Sequence, residues 1–511
     1  MMLAIIFYIK HKRGRSYLIY YDNYFMNTKL LLHTWVLLCL PVNGFAQLTK
    51  GLTYQAETAI SLSSGEHTPL WLTANKQGLG SIRKNNAYLM AGVFRPMEDD
   101  KAFTYGLGVE MVGASRLESK LFIRQAYLDV KWHFLGATIG SKTRYGEFKN
   151  QELSSGGLTF SGNSLPIPQV KVGIPDYVAI PGTKNWLSVR GYIAYGIFTD
   201  GNWQEDFTEG MQRYTKKMLF HDKAIFFKIG DNKFPLSFDF GMEMPARFSG
   251  EVHDINSKGE KTVINYPHRL KDFWNVLIPT KGDSKTSGAD QTNILGDMLG
   301  SWHFSLNYKA EDWNLRAYME HHFNDHSQLF WEYGWKDGLW GLEATLPKNK
   351  FVSSVVYEYL YSKDQTGPIY HDTTQPVPDQ ISGADDYYNH DYYAGWQHWG
   401  MAIGNPLFVS PIYNKDGCLY FRSNRLKGHH IGVSGNPSDE WKYRVLFSYV
   451  QHWGSYNNPF EEVKYNANGL AEVSYSPRQW RNWTFTGAVA ADKSDFIGNS
   501  WGGMITVRFT K

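Results

Sequence analysis

A chain of 511 residues with a formal net charge of +3 carries too little excess charge to argue for nucleic acid or an acidic partner. Aromatic residues make up 16% of it, with 33 Tyr, 30 Phe and 18 Trp, yet mean hydropathy is −0.41. Beyond the N-terminal region no apolar run reaches helix-spanning length, which excludes a polytopic helical membrane protein but not a β-barrel, whose strands face lipid only with every second side chain.

The N-terminal 46 residues read as an address. From Met26 the chain runs MNTKLLLHTWVLLCLPVNGFAQ: a short basic start, an apolar stretch from Leu30 to Leu40, and Gly44-Phe45-Ala46 before Gln47. That order describes a secretory signal peptide over 26–46. Residues 1–25 precede a complete signal with its own Met, and are expected to be a mis-assigned extension; Lys10 to Arg15 interrupts the apolar run that an inner-membrane anchor needs. Cys39 lies inside the signal, with Leu37 and Leu38 where a lipoprotein has small residues. Cys418 is then alone in the mature chain, and no disulfide framework is available. Residues 47–511 are expected to form a single domain.

Period-two alternation follows along the chain. In 126–134, Ala126, Leu128, Val130, Trp132 and Phe134 oppose Tyr127, Asp129, Lys131 and His133. In 301–309, Trp302, Phe304, Leu306 and Tyr308 oppose Ser301, His303, Ser305, Asn307 and Lys309. In 313–322, Trp313, Leu315, Ala317 and Met319 oppose Asn314, Arg316, Tyr318, Glu320 and His322. In 443–453, Tyr443, Val445, Phe447, Tyr449 and Trp453 oppose Arg444, Leu446, Ser448, Val450 and His452. The final segment sets Ile505, Val507 and Phe509 against Thr506, Arg508 and Thr510, as in the closing strand of an outer-membrane barrel. These are half-buried strands. A propeller or a large sandwich shares the pattern, but no fixed-period repeat is present. Segments of about 9–11 residues, aromatic ends and a charged opposite face suit a transmembrane antiparallel β-barrel of roughly 16–18 strands.

Irregular stretches at about 146–186, 205–225, 250–300 and 361–428 interrupt the strands, and loops of that length are usually functional or plugging. Pro166, Pro168, Pro175 and Pro181 with several Gly make 154–186 an inward-folded loop or plug, because Pro removes a ladder donor from a strand.

Several of these stretches carry a family likeness. SSGEHTPLWLTANKQGLGS (63–81), IGSKTRYGEF (139–148), SSGGLTFSGNSLPIPQVKVGIPDYVAIPGTKNWLSVRG (154–191), YGIFTDGNW (195–203), DDYYNHDYYAGWQHWG (385–400) and IGNPLF (403–408) resemble the capsule assembly Wzi family in its Bacteroidetes form. The resemblance implies an outer-membrane β-barrel of about 18 strands in a Gram-negative envelope. It also implies a periplasmic-side plug and outer loops that bind capsular polysaccharide as a lectin.

The stretch 385–400 holds four Tyr, two Trp, three Asp and two His. As a metal site, His371, His390 and His398 with Asp385, Asp386 and Asp391 offer ligands, but not at the spacings that fix zinc; the carboxylates suit calcium better. As a catalytic pair, Asp385 and Asp386 are sequence neighbours, which seldom flank one glycosidic bond, and no nucleophile elbow marks the chain. No catalytic residue, metal ligand or cofactor is therefore assigned.

As a glycan surface the composition makes sense: flat aromatic faces meet the C–H face of a pyranose while polar groups take its hydroxyls. The candidate ligand-binding set is Asp385, Asp386, Tyr387, Tyr388, Asn389, His390, Asp391, Tyr392, Tyr393, Trp396 and Trp399. The alternative is that Tyr392, Tyr393, Trp396 and Trp399 form the packed root of a loop folded into the lumen. Arg124, Arg144 and Arg190 are read as lumen-facing; they either attract an acidic polysaccharide or belong to ion pairs. The His pairs 321–322 and 429–430 point to opposite faces if they lie in strands.

The expected function is attachment of capsular or exopolysaccharide at the cell surface without chemistry. The expected partners are that polysaccharide, outer-membrane lipid and the barrel assembly machinery, and no nucleic acid. A porin or uptake channel is the second reading and a barrel hydrolase the third.

Overall fold

The computed structural model describes residues 51–98, 101–231, 233–255, 259–287, 290–291, 294–324, 329, 336–366, 370–372, 380–382 and 385–511, with backbone alone at 370–372 and 380–382. The expected extension and signal lie outside these residues, as does the side chain of His371.

Eighteen antiparallel strands close on themselves among the described residues. They are β1 (Thr53–Gly65), β2 (Asn86–Arg95), β3 (Phe103–Ser115), β4 (Leu121–Trp132), β5 (Leu135–Ser141) and β6 (Gln169–Ala179). Next come β7 (Leu187–Ile197), β8 (Leu219–Ile229), β9 (Leu236–Glu243, resumed at Ala246–Phe248), β10 (Gly300–Lys309, entered through Asp297–Met298), β11 (Asn314–Phe323) and β12 (Gly338–Thr345). The circuit ends with β13 (Ser354–Tyr361), β14 (Leu426–Gly435), β15 (Trp441–Gly454), β16 (Pro459–Tyr475), β17 (Trp483–Ser494) and β18 (Ser500–Thr510). Closure runs through β1 and β18, with Ala56 opposite Phe509 and Ile60 opposite Ile505. Within the barrel sheet each of these strands pairs on both sides among the described residues, the condition for a sheet to cross lipid.

Burial follows the expected alternation, with the apolar phase outwards and the polar phase inwards. Ser301, His303 and Ser305 of β10 are buried towards the lumen, while Leu306 and Tyr308 are exposed on the outside. In β18 Ile505 and Trp501 face outwards and Met504 inwards. The outward phase forms an apolar belt, with Ile60, Leu62, Val489 and Ile505 among its members, and such a surface belongs in a bilayer. Trp132, Trp186, Trp313, Trp441 and Trp480 lie exposed near the end that carries the short connections, as an interfacial girdle does.

Long connections (66–85, 142–168, 198–218, 244–299, 324–337 and 362–425) all leave from the other end. Bacterial barrels place short turns in the periplasm and long loops outside. Helices α1 (Leu70–Thr73), α2 (Gly201–Phe207) and α3 (Leu270–Leu277) sit in these loops. No helix of the described residues is long and apolar enough to cross a membrane.

The expected irregular stretch 146–186 divides in the structure. Its first part folds into the lumen, but Gln169–Ala179 is strand β6, pairing with β5 and β7. Pro175 is accommodated because the register shifts between Ile174 and Val178, so the missing N–H falls at a bulge. Sequence spacing could not tell a proline at a bulge from one in a loop.

Candidate functional site

The lumen is occupied by the 142–168 and 385–425 loops, with α1 packed beside them. Carboxylates on the inner wall hold the first loop by its backbone. Glu358 of β13 accepts the Ser155 amide at 2.7 Å and the hydroxyls of Ser154, Ser155 and Tyr318 at 2.5 Å each. Glu320 of β11 accepts the amides of Leu158 at 2.7 Å and Thr159 at 3.0 Å, with the Lys149 ammonium at 3.0 Å. Both carboxylates are buried, and charge-assisted bonds of this kind are the strong ones. The loop tip reaches the short-turn end: Arg444, near the start of β15, donates to the Glu152 carbonyl at 2.8 Å, and Asn150 donates to Glu343 at 2.8 Å.

The second loop is sewn to the first. Asn405 donates to Ser155 Oγ at 3.0 Å and to the Gly156 carbonyl at 2.6 Å. The Ser161 amide donates to the Ile403 carbonyl at 2.9 Å, and Asn163 donates to the Ala402 carbonyl at 3.1 Å. Tyr388 donates to the Leu158 carbonyl. A Cβ at Gly404 would collide with that carbonyl and with the Tyr388 hydroxyl, so the close approach of the two loops requires glycine there. Both family-like blocks, 154–191 and 403–408, therefore contribute to one contact.

The structure divides the expected glycan stretch. Tyr387, Tyr388, Tyr393 and Trp396 are at most 1% exposed and pack within the plug. Asn389 is buried too, its side chain accepting from the Phe421 amide at 2.8 Å. Burial pushes the Tyr388 and Tyr393 phenols well above their ordinary range. These side chains have no surface to offer a ligand in this conformation. Asp385, Asp386, His390, Tyr392 and Trp399 keep partial exposure and Asp391 is exposed.

The carboxylates of the stretch are engaged separately: Asp385 accepts from Thr366 Oγ1 at 2.5 Å, and Asp386 from Asn389 Nδ2 at 3.0 Å and from Asn424. His398 is buried, with Nδ1 at 2.8 Å from the Leu165 carbonyl and Nε2 at 3.0 Å from Thr199 Oγ1; burial lowers its pKa.

Of the three arginines, each is in an ion pair. Arg124 meets Glu110 at 2.5 Å, and Arg190 meets Glu147 at 2.6 Å. Arg144, which belongs to the plug loop rather than to a strand, meets Asp222 at 2.5 Å and Glu243 at 2.7 Å. Its guanidinium also lies 3.4 Å from the centroid of the Phe160 ring. Among the described residues, Glu243, His303 and Glu320 have metal-ligand spacing. Arg144 and Lys149 already neutralise their carboxylates, so the cluster reads as an ion-pair lattice pinning the plug.

A polar vestibule of about 400 Å³ lies between the plug and the wall, and sequence reasoning did not find it. Gln55, Glu57, Arg444, Glu472, Thr486 and Arg508 line it from the strands, and Trp71, Lys76 and Leu79 close it from the β1–β2 loop. Arg508 is paired with Glu57 at 2.5 Å and Arg444 with Glu472 at 3.0 Å. Lys76 faces these charges without closing on an ion pair among the described residues, and burial lowers its pKa. The vestibule lies near the short-turn end of the barrel, where β1 begins and β18 ends.

No family model matches the chain, and no curated protein matches it. Solved structures do. Wzi of Escherichia coli, an outer-membrane protein involved in group 1 capsule assembly and a carbohydrate-binding β-barrel, matches with a TM-score of 0.53 and 11% identity, over 91% of this chain and 86% of that one. OccD3 of Pseudomonas aeruginosa matches with a TM-score of 0.44 and 10% identity, over 90% of this chain and 91% of that one. OprD, an outer membrane protein of Pseudomonas aeruginosa, matches with a TM-score of 0.43 and 9% identity, over 90% and 92%. The fold is that of an outer-membrane β-barrel. At 11% identity the likeness to Wzi carries the fold alone, and the apolar belt independently places the chain in that membrane.

Proposed function

We propose that the protein holds capsular or exopolysaccharide at the cell surface, as a non-catalytic, Bacteroidetes-type member of the Wzi family. The observation that carries this reading is the plug: two long loops, bonded to each other and to buried wall carboxylates, fill the lumen through which a channel would have to pass. What the loops leave reachable on their own surface is an aromatic and polar rim of Tyr392, Trp399, His390 and Asp391, the chemistry that stacks on and hydrogen-bonds a sugar. The sequence likeness to the Wzi family and the fold shared with a carbohydrate-binding barrel of Escherichia coli support the same reading. On this account the signal at 26–46 exports the chain and the barrel assembly machinery inserts it.

The vestibule gives a channel reading its one support. The β1–β2 loop (Trp71, Lys76, Leu79) and the plug loop (Tyr145, Ser154) line it, so polysaccharide holding is preferred. Deleting the gene and measuring cell-attached against shed polysaccharide tests the proposal: polysaccharide should move to the medium. Wild-type retention at the surface would overturn it.

A further inference from the structure

The outer wall of the barrel carries a feature that plugging does not explain. Tyr195 of β7 and Leu219, His221 and Lys223 of β8 share the outward phase of the exposed belt residues Ile193 and Ile225. Helix α3 lies over them, outside the barrel. Tyr195 donates to the Phe273 carbonyl at 2.8 Å, and the rings of Tyr195 and Phe248 stand 5.3 Å from that of Phe273. Phe248, Val276 and Leu295 form a buried cluster with Tyr195, Leu219 and Phe273 packed against it. The Lys223 ammonium donates to the carbonyls of Val276 at 2.8 Å and Leu277 at 2.7 Å. A cation on the lipid-facing wall thereby satisfies the unpaired C-terminal carbonyls of the helix and its negative dipole end.

The opposite face of α3 is exposed among the described residues. Leu270 is 90% exposed, Trp274 60% and Ile278 47%. Leu270 and Trp274 lie at i, i+4 on one face of the helix, and Ile278, its C-cap, follows them. Lys281 and Lys285, in the connection after the helix, are exposed, as is Lys271, whose ammonium meets Asp283. An apolar stripe with Trp, flanked by lysines, is the pattern of a helix lying in the headgroup–acyl boundary, where the lysine stems reach back to the headgroups.

We propose that α3 is an interfacial helix that beds Leu270, Trp274 and Ile278 in the outer leaflet of the membrane. It anchors the 244–299 loop on the lipid side of the wall, away from the plug, and fixes the depth at which the barrel mouth stands. The occupant of the stripe is lipid; a protein seated on it is the competing outcome.

The test uses full-length protein in phospholipid vesicles, with Cys39 and Cys418 changed to Ser and a nitroxide label attached through Trp274→Cys. Accessibility to molecular oxygen and to a water-soluble nickel chelate is compared with that of a label at Lys415→Cys, whose side chain is 85% exposed. The proposal expects the oxygen-to-chelate ratio at 274 to exceed that at 415 several-fold. Equal ratios would overturn it and leave the stripe to a protein partner. Both Trp274 and Ile278 lie outside the packed cluster, so where Trp274→Cys fails the heat-shift test of folding, Ile278→Cys gives the same reading one turn further on.

Discussion

The indole Nε1–H of Trp396 donates to the carbonyl of Thr159 across 3.0 Å, joining loops that are 237 positions apart in the chain. Trp396 is fully buried, with the Phe160 ring 6.1 Å away and the Arg247 guanidinium 5.5 Å from its centroid. One side chain thus ties the deep loop, the second loop and the wall together. Trp396→Ala removes the bond and leaves a cavity, at a cost of about 3–5 kcal/mol. The 385–425 loop should become sensitive to protease while the heat-dependent gel shift of the barrel persists, because strand pairing is untouched. A loop as resistant as in the wild type would remove Trp396 from this role.

Glu358 supplies the second test of the plug. Glu358→Gln turns an acceptor of four donors into a group with its own N–H to place, leaving buried donors short of a partner at about 1–3 kcal/mol each. Hydrogen exchange at the Ser155 amide should accelerate while exchange in β16–β18 stays slow. Unchanged exchange at Ser155 would show that other bonds hold the loop.

Asp337, in the 324–337 loop, gives stability a pH dependence. Its carboxylate accepts from the amides of Asp364 at 3.0 Å and Gln365 at 2.6 Å and from the Tyr387 hydroxyl at 2.9 Å, yet burial pushes its pKa up to about 7. The folded chain therefore holds a proton that the unfolded chain releases near pH 4. Stability from this group is fully present below about pH 4 and is lost as pH rises through about 7, by up to about 4 kcal/mol. Asp337→Asn should flatten the change in thermal midpoint between pH 5 and pH 8; an equally steep change in the variant would assign it to another group.

Trp399 and Trp396 stand three positions apart and should behave in opposite ways. Trp399 is partly exposed, its amide donating to Asp200 at 3.1 Å. Trp399→Ala should lower affinity for the cell's own polysaccharide about tenfold, or about 1.4 kcal/mol, with little change in thermal midpoint. Full affinity in that variant, and in Tyr392→Ala, would move the binding site off this rim.

Much of the barrel was legible because a strand writes its two faces in alternate residues: 301–309 and 313–322 gave the phase of β10 and β11 directly. The plug was legible as a proline-rich block, though the start of β6 was not, since Pro175 reads alike in a bulge and a loop. Within 385–400 the sequence could not separate Trp396 from Trp399. Both sit in one aromatic run, and what buries the first is a carbonyl 237 positions away. The vestibule escaped notice because Glu57, Lys76, Arg444, Glu472 and Arg508 come from five separate segments. The stripe on α3 is written in the sequence only as Leu270 and Trp274 at i, i+4, one turn inside a long connection, too short a period to mark a helix.

Planar-bilayer conductance of the purified wild-type barrel tests the central claim most directly. A barrel whose lumen is closed by interlocked loops that hold polysaccharide on their outer rim should insert without stable ion-conducting steps, and Trp396→Ala or removal of the 142–168 loop should produce them. Stable, long-lived steps in the wild-type protein would contradict the account and make the vestibule the mouth of a channel.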